Sequence, residues 1–324
     1  MTGLHVLNPG PRTTVQDGGR TGYQHHGLAA GGAADLRAWR WANHMLDNPV
    51  NAACLEITLG GFTATAEGTM LMAITGAADP ARLNGRPLPG WSVFLMQRGD
   101  RLEIPVASSG LLTYLAVVGG WQTRCFLGSR SAVVREQLTG LGAIKTDDRI
   151  PALPAEEPYS NDLRLRRRLP TSHQPQPGEV RLKLVPGPDQ HLFSRADLAR
   201  LVQSPYQVTA DSDRMGYRLD GTPLLSPGGV TSRGVNCGTV QIPGDGKPMV
   251  LLNDRQTMGG YPVIGTVPRL DCSRLAQCRP GERVWFCWSD VAECQGERMI
   301  FEEQMRTLEW NPEGKLTRHR VLVN

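Results

Sequence analysis

Lysine is scarce in this chain: of 35 basic residues only four, Lys145, Lys183, Lys247 and Lys315, are lysine. The net charge is only +4 over 324 residues. Such an arginine bias reads as coding composition rather than as a phosphate-binding face, and no nucleic-acid partner is expected. Aromatic residues are also few, at 6%, so the core must rest on Val, Leu, Ile, Ala and Met. No stretch approaches the ~18 apolar residues of a membrane-spanning helix. The opening MTGLHVLNPGPRTT has neither the basic n-region nor the apolar h-region of a secretion signal. The expectation is a cytoplasmic protein with reduced thiols and no membrane contact.

Several standard sites are missing too. Seven cysteines are present, yet no pair is spaced C-x-x-C and none stands beside an H-x₃₋₅-H. A structural zinc site is therefore not expected. Of seven histidines only His25 and His26 adjoin, and chain neighbours point apart, so no metal is expected. PGDGKP around Lys247 lacks the first Gly and the Ser/Thr of a nucleotide-binding P-loop. G-x-S-x-G and H-E-x-x-H do not occur, and no Met-Lys-Met is available to carry biotin.

What the chain does contain is turn-rich and globular: 37 Gly, 24 Pro, 40% apolar and 20% charged residues. From Cys54 to Gly120, short β-rich runs such as CLEITLGGFTATA, TMLMAITGA and LLTYLAVVGG recur about every ten residues, broken by Gly, Pro and the Asn84–Gly85 pair. That is the pattern of an antiparallel barrel or sandwich. A helix is predicted from Asp35 through Met45/Leu46, another over about His191–Gln203, and a third in ERMIFEEQMRTLEW, with Phe301, Met305 and Leu308 on one stripe. The expected organisation is mainly β: an N-terminal half over 1–150, a Pro- and charge-rich linker over 151–178, a C-terminal half over 179–296, and a helix and tail over 297–324. The basic cluster Arg164, Arg166, Arg167 and Arg168 falls in that linker and reads as a solvated stretch.

Three polar, glycine-bearing motifs are candidates for chemistry. In TTVQDGGRTGYQHHG, the Asp17–Gly18–Gly19 turn offers Gln16, Asp17 and Arg20 around open backbone. An ordinary turn with Arg20 paired to Asp17 fits the spacing equally well. In DSDRMGYRLDG, Arg214 and Arg218 lie four apart and would share one face of a strand, suited to bidentate capture of an anionic oxygen. Two structural arginines bonding Asp211 and Asp213 are the alternative. In VQIPGDGKPMVLLNDRQTMGGYP, an apolar strand delivers Asn253, Asp254, Gln256 and Thr257 at its end, before Gly259, Gly260 and Tyr261 turn the chain. Rigid support with an exposed tip is how sites are commonly placed; a hairpin without chemistry remains the alternative.

TTVQDGGR, LEITLGG, TGA, YLAVVGG, LGSRS, VPGP, RMGYRL, GTVQIP, GKPMVLLNDRQTMGGYP and LAQ follow one another from about Pro11 to Trp288. In this order they resemble the 5-oxoprolinase C-subunit family, also called biotin-dependent carboxyltransferase-like, allophanate-hydrolase subunit 2-like or KipA-like. The resemblance implies two cyclophilin-like β-barrel halves with a few short helices. It also implies a B-type (KipI-like) and an A-type partner, with which the chain would open 5-oxoproline to glutamate using ATP, while being inactive alone. Under that reading Arg214 and Arg218 would hold anionic oxygen. Asp254 would act as base or orienting group, with Asn253, Gln256, Thr257, Gly259, Gly260 and Tyr261 around the substrate and Gln16, Asp17 and Arg20 completing the wall. Two alternatives come with the resemblance: a carboxyltransferase subunit using carboxybiotin from a separate carrier, and a KipA-like regulator of a KipI-like kinase inhibitor. Two departures stand out. AVVREQLTGLGAIKTDDRIP follows LGSRS in place of the usual Gly-Gly segment and GR-L-x-x-GD turn, and Val263 replaces the usual basic residue after GGYP.

Overall fold

A computed structural model describes residues 2–154, 162–175 and 178–318. The chain forms two compact units: residues 1–19, 37–176 and 300–324 in the first, 20–36 and 177–299 in the second.

In the first unit two sheets share one core. The larger is built from β1 (Gly3–Pro9), β4 (Phe62–Ala66), β6 (Arg82–Leu83), β7 (Arg86–Pro87), β9 (Arg101–Ile104) and β11 (Arg149–Pro151), ordered β11-β1-β4-β9-β6-β7. The smaller takes β2 (Arg12–Gln16), β3 (Cys54–Thr58), β5 (Met70–Gly76), β8 (Ser92–Met96) and β10 (Leu112–Val117), ordered β2-β3-β10-β5-β8. FTATA alternates and shows one face to the core, whereas MLMAIT is buried throughout, as a strand covered on both faces must be. Leu4, Ile57, Phe62, Met72, Leu115 and Trp121 lie at the centre of that core. Asn84 and Gly85 both take positive φ, 51° and 76°, the backbone of a tight hairpin between β6 and β7.

In the second unit seven strands close a barrel in the order β12-β19-β16-β17-β14-β13-β20. They are β12 (Val180–Pro186), β13 (Tyr206–Val208), β14 (Gly216–Asp220), β16 (Thr239–Gln241), β17 (Met249–Leu251), β19 (Val263–Thr266) and β20 (Arg283–Trp288). A parallel pairing of β12 with β20 completes the ring. Leu182, Leu184, Tyr206, Val240, Val250, Ile264 and Phe286 fill it. The mainly β expectation is met. A two-stranded ribbon, β15 (Arg233–Gly234) and β18 (Met258–Gly259), sits beside the barrel strands.

Among the described residues four α-helices accompany the strands. α1 (Leu36–His44) matches its predicted place; α2 (Arg195–Gln203) starts four residues later than predicted, capped by the Ser194 hydroxyl. α3 (Arg269–Leu275) was not foreseen. α4 (Val291–Thr307) begins six residues before the predicted ERMIF stretch, where Asp290 caps the Glu293 N–H. Its first half buries no residue, so no apolar stripe marked it. Leu308 is buried but opens β21 (Leu308–Trp310), which pairs with β22 (Leu316–Arg318).

The partition differs from the expected one in two segments. Residues 20–36 belong to the second unit and residues 300–318 to the first. The predicted linker lies partly outside the described residues, at 155–161 and 176–177. Its described part is anchored at several points, although Arg166 and Arg168 are exposed. Arg164 pairs with Asp162 and donates to the Leu46 carbonyl, Arg167 pairs with Asp47 and donates to Met45, and Arg168 bridges to Ser92. Among the described residues no helix is long and apolar enough to cross a membrane.

Candidate functional site

The end of β17 is where the second unit concentrates its polar groups. MVL is a short barrel strand, and the residues after it leave the barrel wall. Asp254 is buried and locked to Arg214 by two parallel bonds, Nε to Oδ2 at 2.9 Å and Nη2 to Oδ1 at 2.8 Å. The Asp254 N–H also donates to the Arg214 carbonyl. Such a fork-to-carboxylate pair is rigid and occupies one lone pair on each Asp254 oxygen. Arg214 Nη2 donates further to the Gly32 carbonyl at 2.8 Å.

Asn253 is the hub of the same cluster. Its amide donates to the carbonyls of Gly31, Gly32 and Ala33 at 2.8–3.0 Å, and its main-chain carbonyl receives the Gly31 N–H. Three successive carbonyls can converge on one amide because Gly31 and Gly32 take φ of 63° and 89°, a region that disfavours side chains. Arg269 closes the cluster: Nη1 donates to Asn253 Oδ1 at 2.7 Å and to Cys237 Sγ at 3.1 Å, and Nη2 donates to the Ala33 carbonyl. Residues 20–36 are thereby tied to the barrel-strand end. The fully buried Arg20 belongs to this segment, its N–H bonded to Ala30.

Gln256 and Thr257 differ in kind. Both are half-buried, and neither side chain bonds to any described residue. Tyr261 is 46% exposed. These three side chains are the open polar groups of the motif. Gly259 and Gly260 are required by close approach rather than by φ. A Cβ on Gly259 would lie 2.5 Å from Gln241 Nε2, and one on Gly260 3.0 Å from Ser232 Oγ. Their backbone is already engaged, Gly259 opposite Arg233 in the ribbon and the Gly260 carbonyl holding the Val230 N–H.

Other predicted residues fall elsewhere. Arg214 precedes β14, which starts at Gly216, so the strand face it was to share with Arg218 does not exist. Arg218 is exposed and lines a cleft of about 190 Å³ with Asp211, Asp220 and Lys247. Lys247, the lysine of PGDGKP, pairs there with Asp220 at 2.7 Å. In the first unit, Asp17 accepts from Ser129 Oγ (2.7 Å), Ser131 Oγ (2.6 Å) and the N–H groups of Arg130 (2.6 Å) and Gly19 (2.8 Å). Gln16 donates to Thr14 Oγ1 and the Ala132 carbonyl. Both side chains anchor residues 129–132, the end of the LGSRS block and the alanine after it. Sequence reasoning missed Arg269 and Cys237; the adjacent Gly31–Gly32 pair was a readable sign that a tight backbone approach occurs there. Among the described residues no three His, Cys, Asp or Glu side chains could hold a metal.

The comparisons agree with this architecture. The family described as "Carboxyltransferase domain, subdomain A and B" matches residues 26–288. The chain is 35% identical over 312 residues to the C subunit of Escherichia coli 5-oxoprolinase, covering 95% of this chain and 98% of that one. The Haemophilus influenzae protein of the same name is 30% identical over 94% and 98%. Among solved structures, TTHA0988 superposes with a TM-score of 0.78 at 33% identity over 89% of this chain, which spans 56% of that one. Kluyveromyces lactis urea carboxylase superposes at 0.84 with 23% identity over 94% of this chain and 29% of that one, a likeness of fold. The chain belongs to the carboxyltransferase-domain family, subdomains A and B.

Proposed function

We propose that this chain is the C-type component of a 5-oxoprolinase, inactive alone and assembled with B-type and A-type subunits to open 5-oxo-L-proline to L-glutamate at the expense of ATP. The observation that carries the reading is the end-to-end correspondence with the E. coli protein, 98% of that chain at 35% identity. A lactam resists attack because its amide is resonance-stabilised, so activation by ATP is needed before water can open it. Lys247 does not stand at a nucleotide loop; it closes an exposed ion pair with Asp220. ATP is used by the complex, and Lys247 offers no loop for it in this chain.

Within this chain, Gln256, Thr257 and Tyr261 are the groups that would meet the substrate. An amide and two hydroxyls carry both donors and acceptors, which suits a ring presenting an amide N–H, a carbonyl and a carboxylate. Arg214, Asp254 and Asn253 act one step back: their mutual bonds fix the segment from which the open groups project. Preorganised donors at a developing oxyanion are worth about 10²–10³ in turnover each. That sets the scale for Gln256→Ala or Thr257→Ala in the assembled complex.

A second reading has its own support. Lachancea kluyveri urea amidolyase is 27% identical over 97% of this chain, which favours a carboxyltransferase working with carboxybiotin from a separate carrier. The two readings separate in one assay of the reconstituted subunits. Turnover of 5-oxoproline that needs ATP and is indifferent to avidin supports the first. Bicarbonate dependence with avidin inhibition supports the second. Tight binding to the B-type partner with neither activity would point to a regulator.

A further inference from the structure

Cys237 stands apart from the other thiols of the chain. It lies just before β16, half-buried, with Arg269 Nη1 3.1 Å from its sulfur. Arg255, on the turn after β17, adds a second positive charge. Cys272, one turn into α3, is the neighbouring thiol, its own Sγ donating to the Val267 carbonyl at 3.5 Å. Its sulfur also lies 3.2 Å from where a Cβ on Gly238, the residue after Cys237, would be. Gly238 has no side chain and takes φ of +87°, which lets the helix sulfur approach the backbone beside Cys237.

Electrostatics divide the pair. The neighbouring Cys272 and the charges of Arg269 and Arg255 hold Cys237 well below the ordinary thiol range. Cys272 is pushed up by the neighbouring Cys237 and by burial. Burial likewise raises Cys54 and Cys278. A thiol on a half-buried residue, bonded by one guanidinium and within the field of a second, beside a protonated thiol is an arrangement in which attack and resolution fall to different sulfurs.

We propose that Cys237 is a peroxide-reactive thiol and Cys272 its resolving partner, so that a hydroperoxide closes a Cys237–Cys272 disulfide in the second unit. The Cys237 sulfur attacks the O–O bond of the hydroperoxide and becomes a sulfenic acid, releasing hydroxide or alkoxide. The Cys272 thiol then attacks that sulfur; the S–S bond forms and the sulfenic oxygen leaves as water with the thiol proton. Two thiols are oxidised and one peroxide is reduced. The consequence is local to the candidate site. Arg269 Nη1 divides its bond between Cys237 Sγ and Asn253 Oδ1. Oxidation removes the anionic sulfur and joins α3 covalently to the chain entering β16. This inference is independent of the substrate proposed above.

The test is oxidation of the full-length chain by hydrogen peroxide at pH 6, followed by alkylation and tryptic mapping. An ordinary thiol is only about 0.3% thiolate at that pH. Allowing for the lower nucleophilicity of a more acidic thiol, Cys237 should still react about tenfold faster than the exposed Cys125. The expected product joins the Gly234–Arg255 and Leu270–Arg274 peptides, lighter by two hydrogens. In Cys272→Ser the same exposure should leave a sulfenic acid on Cys237 that dimedone traps; in Cys237→Ser, Cys272 should stay reduced. Oxidation of Cys125 ahead of Cys237 in the wild-type chain would overturn the proposal, as would Cys272 oxidation unchanged in Cys237→Ser.

Discussion

Replacing Arg214 by Met, Asp254 by Leu, and both together tests whether their pair is the brace of the second unit. Both side chains are buried and joined by two bonds of 2.9 and 2.8 Å. Breaking a buried pair from one side leaves an uncompensated charge and costs about 3–5 kcal/mol. Arg214→Met also loses the Nη2 bond to the Gly32 carbonyl, which the Asn253 amide still serves. The double substitution removes both charges and retains only that second loss, so it should cost about 0.5–1.5 kcal/mol. For a unit of this size each kcal/mol moves the melting temperature by about 2–4 °C. Scanning calorimetry should therefore show each single variant melting about 6–20 °C lower, and the double variant recovering at least half of that. Single variants within about 2 °C of wild type, or a double variant whose loss is the sum of the two, would refute the reasoning.

Other outcomes follow from the same geometry. Gln256→Ala and Thr257→Ala break no bond among described residues, so they should shift stability by no more than about 0.5 kcal/mol while lowering turnover of the assembled complex about 10²–10³-fold; calorimetry beside the coupled assay separates the two effects. Gly238→Ala would place a Cβ 1.9 Å from the Val267 carbonyl oxygen at φ +87° and should destabilise by about 2–5 kcal/mol, seen as a lower urea midpoint. In the first unit, His44 Nδ1 accepts the Trp310 indole N–H at 3.0 Å and Nε2 lies 2.9 Å from the Leu308 carbonyl, so the neutral ring ties β21 to α1. Burial lowers its pKa below the ordinary value of 6.5. As pH falls below 6.5 the unfolded chain takes up a proton that the folded ring resists, so stability declines through the window from 6.5 down to the folded value. The wild-type unfolding midpoint should fall relative to His44→Gln over that window; a constant difference would contradict the assignment.

Much of the fold was legible because period and turn chemistry agreed. FTATA alternates and is half-buried; MLMAIT is continuously apolar and buried on both faces. The Asn84–Gly85 turn formed where the pair stands. α3 was not legible, since seven residues give too little periodicity to register. The first half of α4 was hidden for another reason: it buries nothing and is held by its Asp290 cap and by Lys183 pairing with Glu293 and Glu297. At the site, the strand-end position of residues 253–257 was readable from the apolar run before them. The division of labour was not. Whether Asp254 is paired depends on Arg214, forty residues away, and the carbonyls of residues 31–33 engage Asn253, Arg214 and Arg269, which no local pattern connects. Asp17 is the same case, its acceptors filled by Ser129, Arg130 and Ser131 from more than a hundred residues downstream.

The central claim is tested most directly by ATP-dependent conversion of 5-oxoproline to glutamate by purified A-, B- and C-type subunits, with this chain present or omitted. The account predicts glutamate formation only in the complete mixture, lost when this chain is left out. Equal turnover without it, or none in a complete mixture of folded subunits, would contradict the account.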